Sequence, residues 1–191
     1  MSPDLLNKYS VGNYRFPVRS GADSILIDKN NVLEVIQKVK EDEELLYEQL
    51  IDITATDNIL SKSGYSGERF TIIYTFLSLK FNKRLFVFTN LPEDDLNVDS
   101  ITHIFNSADW YERECYDLFG INFKNHPNLQ RIMNDYNFQG YPLRKDFPLT
   151  GYLEFKYDDT KKRVIAEPVQ LSQQFRNFQF RSPWEIIPQQ F

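Results

Sequence analysis

FTIIYTFLSLK (residues 70–80) and RLFVFT (residues 84–89) stand on either side of Phe81, Asn82 and Lys83, and this pair of runs decides the fold. Both are dense in β-branched and aromatic residues, and the short break with Asn at its centre has the spacing of a β-hairpin. Upstream, Leu45 to Ala55 (LLYEQLIDITA) reads as another strand, with Tyr47, Ile51 and Ile53 on one side and Glu48, Asp52 and Thr54 on the other. The polar stretch Asp57 to Glu68, carrying Gly64 and Gly67, reads as the loop that joins it to the hairpin. Earlier still, Val32, Val35, Ile36 and Val39 recur on one face of a short amphipathic helix, with Asn30 or Asn31 as its N-cap. A helix followed by consecutive strands implies an α+β fold: a mainly antiparallel sheet packed by helices on one face, with an extended C-terminal tail.

Downstream of the hairpin, Ser100 is placed to cap a short helix through Phe105. A longer helix follows, with Asp109 and Glu112 spaced as a capping box and Gly120-Ile121 as a left-handed stop with its apolar clasp. Tyr152–Tyr157 and Arg163–Val169 are spaced to pair across Asp158–Lys162. The chain therefore divides into an α+β domain over residues 1–150 and an extended tail with a small hairpin over residues 151–191. Phe175, Phe178, Phe180 and Trp184 in that tail need a surface to lie on, because isolated they would leave large rings in water.

Composition narrows the function. A formal net charge of -5 with Lys and Arg interleaved among acids lacks the basic excess that phosphate-backbone binding needs, so no nucleic acid is expected. No stretch approaches the roughly 20 apolar residues of a bilayer-spanning helix, so membrane association has to come through partners. Cys115, the only cysteine, can make neither an intrachain disulfide nor an iron–sulfur cluster site by itself, which fits a reducing compartment. The opening MSPDLLNKYSVGNYRFP has no apolar signal core and no Arg-rich amphipathic pattern. The chain is expected to be made where it works, or to stand here in mature form.

On a wheel of about 100° per residue, Tyr111, Cys115, Leu118 and Phe119 form one apolar arc of the longer helix. Trp110, Arg113, Glu114 and Asp117 share the opposite face, where Arg113 and Asp117 are spaced to pair. Glu112 falls at the edge of the arc, where an ionised carboxylate is strongly disfavoured unless a cation or several donors meet it, with Arg131, Arg144 and Lys145 as candidates. Glu112, Glu114, Asp117 and His126 together are the chemistry a carboxylate–imidazole metal or acid–base site would use. Glu112 and Glu114 point to different sides of one helix, however, and His126 lies beyond Gly120 and just before Pro127. A structural ion-pair network is the preferred reading, with no catalytic, cofactor-binding or metal residues assigned. Cys115 reads as a small core hydrophobe. Tyr141 to Pro148 (YPLRKDFP) is bracketed by prolines and reads as an extended strap that docks in a partner's groove, with Arg144 and Phe147 as anchors.

The segment from Glu112 resembles the signature of the 30 kDa subunit family of respiratory complex I, the proton-pumping NADH:quinone oxidoreductase. The matching residues are Glu112-Arg113-Glu114, Asp117-Leu118-Phe119-Gly120-Ile121, Phe123, His126-Pro127, Leu129, Arg131-Ile132, Asp135-Tyr136, Phe138, Gly140 and Pro142 to Pro148. The likeness extends upstream through LIDITATD (residues 50–57), RFTIIYTFLSL (69–79) and SITHIFNSADWYERE (100–114). Gln130 departs from it, standing where relatives usually carry Arg. Glu167-Pro168 and FRNFQFRSPWE (175–185) look like the mitochondrial and alphaproteobacterial branch.

The resemblance implies a core structural subunit of the peripheral arm, without redox centre of its own, in an assembly that uses FMN, iron–sulfur clusters, NADH and ubiquinone. Its partners would be other peripheral-arm subunits, especially the large hydrogenase-derived quinone-site subunit and adjacent iron–sulfur subunits. Its place would be the matrix side of the mitochondrial inner membrane, with no span of its own. The residues expected to form the gripping network are Glu112, Arg113, Glu114, Asp117, His126, Arg131, Arg144, Lys145, Asp146, Phe147 and Trp184. Two alternatives remain: a stand-alone carboxylate–His metalloenzyme, and the equivalent subunit of a related hydrogenase-type or plastid-type complex.

Overall fold

The computed structural model describes residues 22–59, 68–173 and 175–176. The chain divides into two compact units, Met1–Leu149 and Thr150–Phe191. The first is built on a four-stranded sheet in the order β1-β4-β3-β2, made of β1 (Asp23–Ile27), β2 (Gln49–Asp57), β3 (Phe70–Ser78) and β4 (Lys83–Leu91). The hairpin forms as its spacing predicts: β3 and β4 pair from Phe70↔Leu91 to Ser78↔Lys83, and Asn82 takes a positive φ of 49° in the turn. β2 is antiparallel to β3, while β1 lies parallel to β4 on the far edge. β1 falls in residues to which the sequence assigns no element, because five residues of alternating character give little signal without their partner strand.

Period-2 burial gives the sheet one covered face. Phe70, Ile72, Tyr74 and Phe76 of β3 point inward beside Leu85, Val87 and Leu91 of β4, and all are essentially inaccessible to water. On β2 the inward set is Leu50, Ile53, Ala55 and Asp57. Ile51, which the alternation predicts there, is displaced by a register irregularity between Leu50 and Asp52 that shifts the pattern by one residue. Helix α1 (Val32–Glu41) covers this face with Val32, Val35, Ile36 and Val39, each burial contributing about 1.5–3 kcal/mol. Its N-terminus is organised differently from the expectation. Asn31 makes no capping bond; Asp28 instead accepts from the Asn30 N–H at 2.8 Å and caps a 3-10 turn, Lys29–Asn31, that leads into the helix.

Helix α2 (Ala108–Phe119) packs on the same core through Ala108, Cys115 and Phe119. It is framed by two short parallel strands, β5 (Asn97–Asp99) before it and β6 (Asn122–Lys124) after it. The expected helix from Ser100 to Phe105 is a turn, in which Ile104 and Phe105 both donate to the Ile101 carbonyl at 2.9 Å. Residues 60–67, and with them Gly64 and Gly67, lie outside the described residues.

In the second unit, β7 (Leu153–Asp158) and β8 (Arg163–Pro168) form the small antiparallel hairpin, paired from Leu153↔Pro168 to Asp158↔Arg163. Leu153, Phe155, Tyr157, Val164 and Ala166 share one side of it and are exposed. The predicted tail beyond residue 176, including Phe178, Phe180 and Trp184, lies outside the described residues.

Candidate functional site

A helix leaves its last carbonyls without intrahelical donors. At the end of α2 each finds one in the segment that follows. The Gly120 N–H donates to Tyr116 O at 2.9 Å, Arg131 Nη1 to Asp117 O at 3.1 Å, the Leu143 N–H to Leu118 O at 3.1 Å, and Arg144 Nε to Phe119 O at 2.6 Å. Two guanidinium groups thus sit at the negative end of the helix dipole. Gly120 holds the left-handed conformation, with φ 77°, and a Cβ there would lie 2.5 Å from Arg144 Nη2 and 2.7 Å from the Tyr141 ring. Glycine is required at this position both by conformation and by space.

Asp117 is the centre of the same segment and is fully buried. Its Oδ2 accepts from the backbone N–H groups of Ile132, Met133 and Asn134 at 3.0, 2.7 and 2.8 Å. Its Oδ1 accepts from Arg131 Nη1 at 2.6 Å and Asn134 Nδ2 at 2.9 Å. Burial by itself would raise this carboxyl's pKa, but the Asn134 side chain and amide, Arg131 and the Met133 amide outweigh it and hold the group at about 2. Arg131 reaches on to Gly140 O at 3.1 Å and lies over the rings of Phe138 and Tyr141.

A second ion cluster ties the segment to the sheet edge. Arg69 is bidentate to buried Asp57, Nε to Oδ1 at 3.2 Å and Nη2 to Oδ2 at 3.1 Å, and also bonds Asp146 at 2.8 Å and Glu93. The Lys145 N–H donates to Asp57 Oδ2 at 2.9 Å. Desolvation pushes the Asp57 pKa up, yet Arg69 and the Lys145 and Ile59 amides bring it below the ordinary carboxylate value. The Asp57 bond, assisted by Asp146 and Glu93, raises Arg69 against desolvation.

On the other side of α2, Glu112 is fully buried, with no Lys or Arg paired to it among the described residues. Its Oε1 accepts from the Ile101 N–H at 2.8 Å, so the expected capping box with Asp109 does not form. Burial, with the Asp109 charge adding to it, lifts its pKa to about 7 against the opposing Ser100 and Ile101 bonds. The fully buried His126 ring returns to this point: Nε2 is 3.2 Å from the Asp109 carbonyl and 4.0 Å from Glu112 Oε2.

The structure therefore redistributes the predicted partners. Asp117 is buried instead of lying on a solvent face, and it pairs with Arg131; Arg113 donates instead to the carbonyls of Gln130 and Arg131 at 3.1 and 3.4 Å. None of Arg131, Arg144 or Lys145 answers Glu112, since the first two cap α2 and Lys145 contributes its backbone to Asp57. Glu114 is exposed on the helix and joins neither carboxylate. Glu112 and His126 do approach each other, which the turn after β6 allows and sequence distance conceals. Cys115 is buried, desolvation raises its thiol pKa, and Sγ donates to Ile53 O at 3.4 Å.

The strap from Tyr141 to Pro148 is not extended. Its Arg144 and Phe147 amides close turns onto Tyr141 O and Arg144 O, and the Arg144 guanidinium stacks 4.4 Å from the Tyr141 centroid and 5.2 Å from that of Phe70. Phe147 packs against Phe138 at 5.9 Å. Helix-end carbonyls and the Asp57 carboxylate supply bonding that an extended strap would forgo. What the signature segment leaves in water is different: Trp110 is 67% exposed, Met133 65% and Tyr136 77%, with Leu143 and Leu149 exposed as well. Asp57, Arg69 and Asp109 do not stand out in the sequence as members of a network. The alternation of β2 offers a hint for Asp57, an acid at an inward position next to the loop.

The signature segment thus combines a capped helix, an amide-cradled carboxylate and an outward set of large apolar side chains. Among the described residues no group of three or more His, Cys, Asp or Glu side chains is arranged to hold a metal ion. A family model described as respiratory-chain NADH dehydrogenase, 30 Kd subunit, matches residues 25–153. The chain belongs to this family. It is 44% identical over 169 residues to the C subunit of NADH-quinone oxidoreductase from Paramagnetospirillum magneticum, covering 87% of this chain and 81% of that protein. The counterpart from Rhodopseudomonas palustris is 44% identical over 185 residues, covering 96% and 83%. Among solved structures, a trypsin-resistant fragment of Nqo5 is similar at 32% identity and a TM-score of 0.50, over 56% of this chain and 81% of the fragment. A chain of the archaeal membrane-bound sulfane sulfur reductase shares the fold, with a TM-score of 0.59 at 22% identity, over 76% and 82%. The span characteristic of the 30 Kd family takes in the sheet, α2 and the segment that caps it, and stops at the first residue of β7.

Proposed function

We propose that this chain is a core, non-catalytic subunit of the peripheral arm of a proton-pumping NADH:quinone oxidoreductase. It binds no flavin, iron–sulfur cluster or quinone itself and holds the subunits that do. Its partners are the large hydrogenase-derived quinone-site subunit and the neighbouring iron–sulfur subunits, on the matrix side of the mitochondrial inner membrane. The family membership carries the reading, and the geometry supports it: Asp117, Arg131 and Arg144 are spent on bonds within the segment and to the helix end, while Trp110, Met133 and Tyr136 face outward. No helix among the described residues is long and apolar enough to cross a membrane, so attachment through partner subunits is the route the reading requires.

The test is retrieval of the tagged full chain from native membranes on a native gel, with mass spectrometry of what co-migrates. Subunits bearing iron–sulfur clusters in constant proportion are expected, together with NADH:quinone activity in the band and none in the chain alone. Turnover by the chain alone, or co-migration with a hydrogenase instead, would sink the proposal.

A further inference from the structure

Glu112 Oε2 finds no hydrogen-bond partner among the described residues. The side chain is fully buried, and Oε1 takes the Ile101 N–H at 2.8 Å. One turn earlier on α2, Asp109 presents a second buried oxygen, Oδ1. His126 Nε2 stands between them, 3.1 Å from Asp109 Oδ1 and 4.0 Å from Glu112 Oε2.

The imidazole is tied on its other side as well: Nδ1 accepts the Asn128 N–H at 3.1 Å, while Nε2 lies 3.2 Å from the Asp109 carbonyl. The other groups that bear on Glu112 are hydroxyls and acids: Tyr74 on β3, Cys115 and Asp109 on α2, and the Ser100 hydroxyl after β5, with Asp99 acting on Tyr74. A buried carboxylate with no facing cation is strongly disfavoured, and the remedy is to neutralise it.

We propose that Glu112 is a buried proton-binding site, holding a proton on Oε2 as a neutral carboxylic acid beside Asp109 and His126. The inference is independent of the assembly reading. Because the folded group titrates at about 7 against 4.5 ordinarily, the folded state binds more protons between those values. The stabilisation is complete below about pH 4.5 and is lost as the pH rises through about 7, a change of about 300-fold in the unfolding equilibrium constant.

The experiment is a carboxyl-13C NMR titration of the full chain labelled in glutamate. One resonance is expected to titrate near neutrality, to vanish in Glu112→Gln, and to move to lower pH in Asp109→Asn, where the neighbouring charge is gone. Asp109→Asn carries the assignment by itself if Glu112→Gln does not fold. All glutamates titrating in the ordinary range, or a neutral-range resonance that Asp109→Asn leaves in place, would overturn the proposal.

Discussion

Replacing Asp117 by Asn keeps the shape of the side chain and removes the charge that the cradle is built to receive. Oδ2 faces three backbone N–H groups and Oδ1 faces Arg131 and the Asn134 amide, so every approach to the carboxylate is from a donor. An Asn in that place must turn its own NH2 toward donors or break away. Holding the carboxyl at about 2 instead of 3.8 corresponds to about 2 kcal/mol of charge-specific stabilisation. Leaving the partly buried Arg131 unpaired adds to this, for a total loss of roughly 3–5 kcal/mol. Urea denaturation of the full chain measures it, at neutral pH and again in acid. A carboxylate with a depressed folded pKa contributes stability above its unfolded value, and that stability is lost as the pH falls through the folded one. The wild-type advantage should therefore be full near pH 7 and decay between about 4 and 2. Asp117→Asn within about 0.5 kcal/mol of wild type would be surface behaviour and would refute the cradle.

Arg144→Ala removes the Phe119 carbonyl's donor and a guanidinium stacked on two rings, and should cost the isolated chain about 2 kcal/mol in thermal or chemical unfolding. The proline-bracketed pattern alone puts Arg144 on a partner; unchanged stability with lost assembly would restore that role. Gly120→Ala, strained at φ 77° and colliding with Arg144 and Tyr141, should destabilise by about 1–3 kcal/mol, read as a lowered Tm.

Local patterns are legible where a periodic run carries its own meaning. The hairpin at residues 70–89, the valine–isoleucine stripe of α1 and the glycine stop of α2 follow from side-chain spacing and backbone freedom alone. The misreadings share one cause: a local pattern shows the character of a segment, but not what covers or pairs with it. Asp117 sits on the polar side with Trp110 and Glu114, yet residues 131–134 fold over it because their amides need an acceptor. Arg144 reads as an anchor on a partner because the helix-end carbonyl it satisfies lies 25 positions away. The Leu50–Asp52 irregularity that displaces Ile51 depends on how β2 meets β3, which neither strand records by itself.

The proposed function divides labour within the signature segment: buried polar groups fix its shape, and exposed rings are left for other subunits. The paired substitution Trp110→Ser and Tyr136→Ser separates the two, since both side chains stand mostly in water, 67% and 77% exposed. Native-gel quantification of assembled complex, alongside urea unfolding of the same full chain, is the direct measurement. Assembly should fall several-fold while stability stays within about 0.5 kcal/mol of wild type. Full assembly with both rings removed would contradict that division.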